Sequence, residues 1–130
     1  MYYYSKNSSD KLMSCCIELQ DIFGEAISYT DITIISGYRE EKEQNFLEAT
    51  GKSQLRYPDS KHNTSPSDAV DVAPYPIDWK DRERATYFAG FIIGLARSRS
   101  IILRWGGDWD MDWQVRDNVF DDLWHFEIVR

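Results

Sequence analysis

Residues that cross-link a chain or stiffen it are scarce here: 130 residues include two cysteines, four prolines and two histidines. Cys15 and Cys16 are adjacent, and neighbours in a helix cannot easily reach disulfide geometry with each other. That argues against a disulfide framework and reads as two buried small hydrophobes in a reducing compartment. No apolar run approaches the length of a bilayer span, which excludes a spanning helix. Clustered Lys and Arg are missing as well: 15 basic residues face 22 acidic ones, for a formal charge of -7 and a pI near 4.7. Nucleic acid is therefore not an expected partner, because phosphate binding rests on clustered cations. The same charge is repelled by anionic membranes and polymers, so recognition is expected to be short-range and local to a groove. The opening Met1-Tyr2-Tyr3-Tyr4-Ser5-Lys6 has no basic region followed by an apolar one. No secretory signal is expected, and synthesis in the cytoplasm without self-export follows.

What is present is a heavy aromatic load, with five Trp, eight Tyr and six Phe, in a chain 42% hydrophobic and 28% charged. This is the composition of an ordinary folded protein, and the length fits one compact domain over residues 1–130, expected as a monomer. Aromatic side chains bury much area per residue and also line sugar and peptide grooves. Apolar residues at Leu12, Cys15, Cys16, Leu19, Ile22 and Phe23 return to one helical face, which predicts a first helix from about Ser9 to Tyr29. The β-branched run Asp31–Ser36 predicts a strand ended by Gly37. Glu40–Thr50 reads as a short helix closed by Gly51, and Lys52–Ser67, with Pro58 and Pro66, as a long loop. Asp68–Tyr75 alternates as a strand, which sets Asp71 between the small Ala69 and Ala73. Lys80–Ser98 is expected to be the second long helix, and Ile101–Trp105 a strand ended by Gly106-Gly107. Asp108–Phe120 has no clear period and reads as loop. His125–Val129 is expected to be a last strand with Phe126 and Ile128 inward and His125 and Glu127 on the other side. The order implies an α+β fold, a small and mostly antiparallel sheet flanked by helices.

The two histidines and one acid occur in types that a catalytic zinc site uses. Zinc that performs hydrolysis takes about three protein ligands and leaves one position for water, and imidazole with carboxylate is a set it accepts. His62, Asp71 and His125 fill that description, although two histidines in a folded domain are equally described as one surface and one core residue. Asp122, three residues before His125, is placed to take a proton from water and pass it on. Asp121 beside it is equally acidic, and spacing alone does not separate them. Glu127 is a candidate acceptor for the second nitrogen of His125, or a solvent-facing strand residue.

Ser60-Lys61-His62, Ala69-Val70-Asp71 and Asp122-Leu123-Trp124-His125 together resemble the motifs of the zinc-dependent L,D and D,D peptidases of bacterial cell walls. That family includes VanY-type D-alanyl-D-alanine carboxypeptidases, D-Ala-D-Ala dipeptidases and phage L-alanyl-D-glutamate endopeptidases. Ser36-Gly37-Tyr38-Arg39, Arg104–Trp109 and His125-Phe126-Glu127 are also similar to phage-encoded members. The resemblance implies a hedgehog/D,D-peptidase-like fold, Zn2+ on His62, Asp71 and His125, Asp122 as general base and acid, and Arg39 on the oxyanion. It implies the peptidoglycan stem peptide as substrate, the L-Ala–D-Glu bond as the favoured target, and an endolysin held in the host cytoplasm until release. Carboxypeptidase or dipeptidase action on D-Ala-D-Ala, and a zinc-containing binding domain without catalysis, are the alternatives. Here the link between His62 and Asp71 is two residues longer than the commoner pattern, with Ser65-Pro66-Ser67 in place of a glycine. Specificity is expected to lie in walls formed by Lys52–Ser67 and Gly107–Asp117.

Overall fold

The computed structural model describes residues 1–130. Its helices are α1 (Lys6–Met13), α2 (Ile17–Ala26), α3 (Glu41–Ala49) and α4 (Arg82–Ser98), and its strands are β1 (Ile32–Ser36), β2 (Ala69–Pro74), β3 (Leu103–Gly106) and β4 (Asp122–Ile128). The strands form one sheet in the order β1-β2-β4-β3, and every pairing is antiparallel. Strand alternation sorts the side chains to two faces. Ile32, Ile34, Val70, Val72, Leu103, Trp105, Phe126 and Ile128 point to a core closed by α1, α2 and α4. Phe126 lies at its centre, edge-on to Phe23 at 6.0 Å and to Phe88 at 6.2 Å. A large side chain fully buried in this way stabilises the fold by roughly 1.5–3 kcal/mol. Asp71, His125 and Glu127 alternate with these core residues and so fall on the opposite face, with no helix from the core layer over them.

The expected first helix, Ser9 to Tyr29, is instead two helices broken at Ser14–Cys16. The apolar stripe runs through the break without losing phase, which is why periodicity did not reveal it. The backbone there is used elsewhere: Cys16 N–H donates to Ser67 O at 2.8 Å, and Ser67 N–H donates to Ser14 O at 2.9 Å. The Ser14 hydroxyl donates to Lys11 O at 2.6 Å and accepts from Tyr38 N–H at 2.9 Å. Gly37 packs into this junction, where a Cβ would collide with Lys11 O and Ser14 Oγ. Cys15 and Cys16 thus sit in the break rather than within a helix, and both are buried free thiols. The Ser67 end of the longer link after His62 is held by these same bonds to the α1–α2 junction.

The last strand begins earlier than expected, at Asp122 rather than His125. Trp105 pairs with Phe126 but Gly106 pairs with Asp122, so Leu123, Trp124 and His125 form a bulge without partners on β3. In an unbroken strand, residues three apart face opposite sides of a sheet. The bulge restores Asp122 to the face of His125, a common use of this device near functional groups. Gly106 permits it, because a Cβ there would strike the Asp122 carbonyl.

The loops on either side of β2 and β4 are held by local polar contacts. A 3-10 turn at Lys61–Asn63 is capped by Ser60, whose hydroxyl accepts from His62 N–H while the Asn63 side chain accepts from Ser60 N–H. The Asp108–Phe120 segment is irregular, as expected. The Asp108 carboxylate accepts from Asp112 N–H at 3.2 Å and Trp113 N–H at 3.0 Å, the usual turn chemistry of aspartate. Asn118 Nδ2–H donates to Gly107 O at 2.6 Å.

Candidate active site

Three side chains converge above the middle of the sheet. His62 arrives on its capped turn, Asp71 from the centre of β2, and His125 from β4, where its Cα pairs with that of Asp71. His62 Nε2 lies 3.2 Å from Asp71 Oδ1 and 3.3 Å from His125 Nδ1. His125 Nδ1 lies 3.1 Å from the same carboxylate oxygen. The outer nitrogens are committed elsewhere. His62 Nδ1 is 2.7 Å from Gly37 O, which can only accept, and His125 Nε2 is 2.8 Å from Glu127 Oε1. Each ring therefore carries a proton on its outer nitrogen and, when neutral, turns a lone pair inward. With both rings neutral, two lone pairs and a carboxylate oxygen face one point where a metal cation would be held; without one, a proton on His125 Nδ1 donated to Asp71 Oδ1 reconciles them. Ligands about 2.0–2.1 Å from a tetrahedral metal stand about 3.3 Å from one another, which the observed 3.1–3.3 Å edges match. The residues fit a metal.

The groups around the triangle hold it. Burial works against a charged His125, but its hydrogen bonds to Asp71 and Glu127 and the charges of Asp71 and Asp122 outweigh burial and push its pKa up to about 10. Burial likewise opposes charge on Asp71, yet the two histidines hold its carboxyl below the usual range. Glu127 is buried too, and contacts with His125, Lys61 and Arg104 keep it ionised below the ordinary glutamate value. Arg104 Nη1–H donates to Glu127 at 3.2 Å, and Lys61 Nζ stands 3.6 Å away. Of the two readings open for Glu127, the structure supports the acceptor. Trp109 covers the His125 ring, with centroids 5.4 Å apart.

The two adjacent acids are separated by the fold. Asp121 is paired to Arg82 at 2.7 Å, while Asp122 Oδ2 faces the site, 4.0 Å from His125 Nδ1. Burial, and secondarily the charge of Asp71, raise the Asp122 pKa above the ordinary aspartate value. Arg39 is buried, at 7% exposure. It stands behind the carboxylate ligand, donating to Asp71 Oδ2 at 3.0 Å, Ser36 Oγ at 3.2 Å and Gln44 Oε1 at 3.0 Å. Its Nε–H is buried without a partner.

Sequence reasoning missed Gln44. It is fully buried on α3 and also donates to Ser53 Oγ at 3.0 Å and Leu55 O at 2.6 Å, so it joins Arg39 to the following loop. Nothing in the helix pattern set it apart from the neighbouring Asn45. Lys61 and Arg104 as partners of Glu127 were also missed, and only the β3–β4 register that pairs Arg104 with Glu127 could have found the second.

A groove of about 1180 Å³ passes over the triangle. One wall runs from α3 through Lys52, Leu55 and Lys61. The other includes Trp109, Asp117 and Phe120, together with Trp79 and Trp124. The expected walls are thus found in part. Residues 63–67 line nothing in the groove, and Trp79 and Trp124 were not anticipated there.

A sheet that presents a three-acceptor centre in an open groove, with a free carboxylate beside it, is the arrangement of a hydrolytic enzyme. Residues 1–129 match the model of the phage L-alanyl-D-glutamate peptidase family, and the chain belongs to that family. It is a peptidoglycan-cleaving endopeptidase. A solved structure, the L-Ala D-Glu endopeptidase ChiX of Serratia marcescens, matches with a TM-score of 0.76 at 23% identity, over 98% of this chain and 91% of that one. At that identity the likeness shows the fold, the expected small α+β peptidase architecture. No curated protein matches the chain in sequence.

Proposed function

We propose that residues 1–130 form the catalytic domain of a zinc-dependent endolysin, acting as a monomer on the L-Ala–D-Glu bond of the peptidoglycan stem. The carrying observation is the triangle of His62 Nε2, Asp71 Oδ1 and His125 Nδ1, whose edges are those of a tetrahedral zinc site. Zinc held there supplies Lewis-acid polarisation of the scissile carbonyl and acidifies a water. Asp122 takes the proton of the attacking water and delivers it to the leaving amine of D-Glu. Arg39, through its place behind Asp71, adds positive charge where the carbonyl oxygen becomes negative. Glu127 and Gly37 O fix the ring tautomers so that the inward nitrogens stay free to bind metal. The enzyme waits in the host cytoplasm and meets the wall after release.

Digestion of defined peptidoglycan with and without a chelator tests this reading, with fragments identified by mass spectrometry and zinc by elemental analysis. The expected result is about one zinc per chain and chelator-sensitive fragments that begin with a glutamyl amine. Release of free D-Ala contradicts the endopeptidase assignment in favour of carboxypeptidase or dipeptidase action. Bound zinc without any cleavage would mean a binding domain.

A further inference from the structure

One wall of the groove is attached to the metal-binding triangle through a single buried amide. α3 is nine residues long, and a helix so short normally gains its stability by packing an apolar face. It has no such face: Gln44 is its only buried residue, Phe46 is 62% exposed, and neither hydrophobic cluster contains any residue of the helix. The loop that follows is fastened to α3 rather than to the core. Lys52 N–H and Ser53 N–H both donate to Leu47 O, and Tyr57 N–H donates to Asn45 Oδ1 at 3.0 Å. Helix and loop thus form one polar unit, and Glu43, Leu47, Lys52 and Leu55 of that unit line the groove.

The Gln44 amide uses its full hydrogen-bonding capacity at the joint. Its Oε1 accepts from Arg39 Nη1–H at 3.0 Å and from Asn63 Nδ2–H at 3.4 Å. Its Nε2 donates to Ser53 Oγ at 3.0 Å and to Leu55 O at 2.6 Å. A guanidinium only donates and a carbonyl only accepts, so these partners allow the amide one orientation. They also lead to two corners of the triangle. Arg39 donates to Asp71 Oδ2, the carboxylate oxygen outside the triangle, and Asn63 caps the turn that carries His62. We propose that Gln44 is a positioning residue for the reaction, one that fixes the Ser53–Leu55 wall relative to the triangle and holds Arg39 against Asp71. A peptide seated on that wall then presents its scissile bond at a set distance from the ligand residues. An apolar side chain of the same size leaves both Arg39 Nη1–H and Leu55 O without this partner. A glutamate, ionised beside Arg39, keeps the first bond and repels the Leu55 carbonyl, so the two halves of the joint can be cut separately. The inference deepens the proposed function and rests on it.

The test measures KM on a muramyl stem peptide, and zinc affinity by competition with a chelator, for Gln44→Met, Gln44→Glu and Ser53→Ala. Gln44→Met, which cuts both halves, is expected to raise KM and the zinc Kd about tenfold each. Gln44→Glu is expected to raise KM by a similar factor while the zinc Kd stays close to that of the wild type, because a carboxylate still takes the Arg39 bond. Ser53→Ala removes one of the two wall bonds and is expected to raise KM about two- to threefold with the zinc Kd unchanged. Melting temperature identifies a variant that has not folded, and Gln44→Glu with Ser53→Ala carry the test where Gln44→Met does not fold. An amide with a merely structural role lowers the melting temperature of folded variants and leaves KM and the zinc Kd at wild-type values, a result that overturns the proposal. A zinc Kd as weak in Gln44→Glu as in Gln44→Met overturns it too, by removing the link through Arg39. Wild-type protein that binds no zinc or leaves the stem peptide whole overturns the function itself, which separates the two failures.

Discussion

Asp122 and Asp121 have the same side chain one residue apart, and their partners make them different. Asp121 spends its charge on Arg82 at the surface, a kind of pair worth roughly 0–1 kcal/mol. Asp122 makes no ion pair beyond its 4.0 Å contact with the His125 ring, and burial raises its pKa. Asp122→Ala is therefore expected to lower kcat by about 10²–10⁴ while zinc content, measured by elemental analysis, stays near that of the wild type. Asp121→Ala should leave kcat within a few-fold. Comparable losses in the two variants would remove Asp122 from its role. The thiol of Cys15 gives a second test at this scale. It is 1% exposed, and burial, with a small addition from Cys16, pushes its pKa up to about 12. A free thiol is about half ionised near pH 8.5, so a native Cys15 should resist alkylation at that pH and react once denaturant is added. The raised pKa also means that its contribution to stability is present below about pH 8.5 and fades as pH approaches about 12. Mass spectrometry of iodoacetamide-treated protein, native against denatured, reads the first effect.

At the scale of elements, the β3–β4 bulge decides whether an acid three residues before a histidine can share its face. Gly106→Ala forces a Cβ against the Asp122 carbonyl, so β3 and β4 must part or Asp122 must turn away. The expected cost is about 1–3 kcal/mol of stability. A displacement of roughly 1 Å is expected to lower kcat by about a hundredfold, with metal retained. Thermal melting and kcat measured on the same preparation test this, and a variant of full activity would show that the bulge is not needed to aim Asp122. The same element shows where sequence reading stops. The site's order along the chain was legible, because His62, Asp71, Asp122 and His125 each stand in a short motif whose spacing needs no tertiary information. The bulge was not, since it exists only between two strands, and a one-strand reading placed Asp122 upstream of the strand. The break at Ser14–Cys16 was hidden for a related reason: its cause is Ser67, over fifty residues away, while Leu12 to Phe23 keep helical phase across it. Gln44 and Lys61 were illegible because a buried amide and a partnered lysine look like surface residues until their partners are known.

Across the whole molecule the two faces of the sheet do separate work, and this separation sets what the metal can contribute to folding. The main core lies on the helix face, a smaller cluster of Ala73, Ala85 and Trp124 stands apart from it, and neither uses His62, Asp71, Asp122 or His125. The protein should therefore fold without metal, unlike small domains whose folding free energy is metal binding itself. Binding to the folded state alone still stabilises by mass action, by roughly 4 kcal/mol when free zinc stands a thousandfold above its dissociation constant. For a domain of this size that corresponds to a rise of about 10–20 °C in melting temperature. Chelator-treated protein is expected to keep its far-UV circular dichroism and to melt cooperatively at the lower temperature, with zinc restoring the higher one. In the Asp71→Ala variant, which removes one vertex of the triangle and leaves Arg39 unpaired, zinc should no longer raise the melting point by the same amount. Metal-free protein that is unfolded at 25 °C would contradict the division of labour, because it would mean that the catalytic face carries part of the core's share of stability.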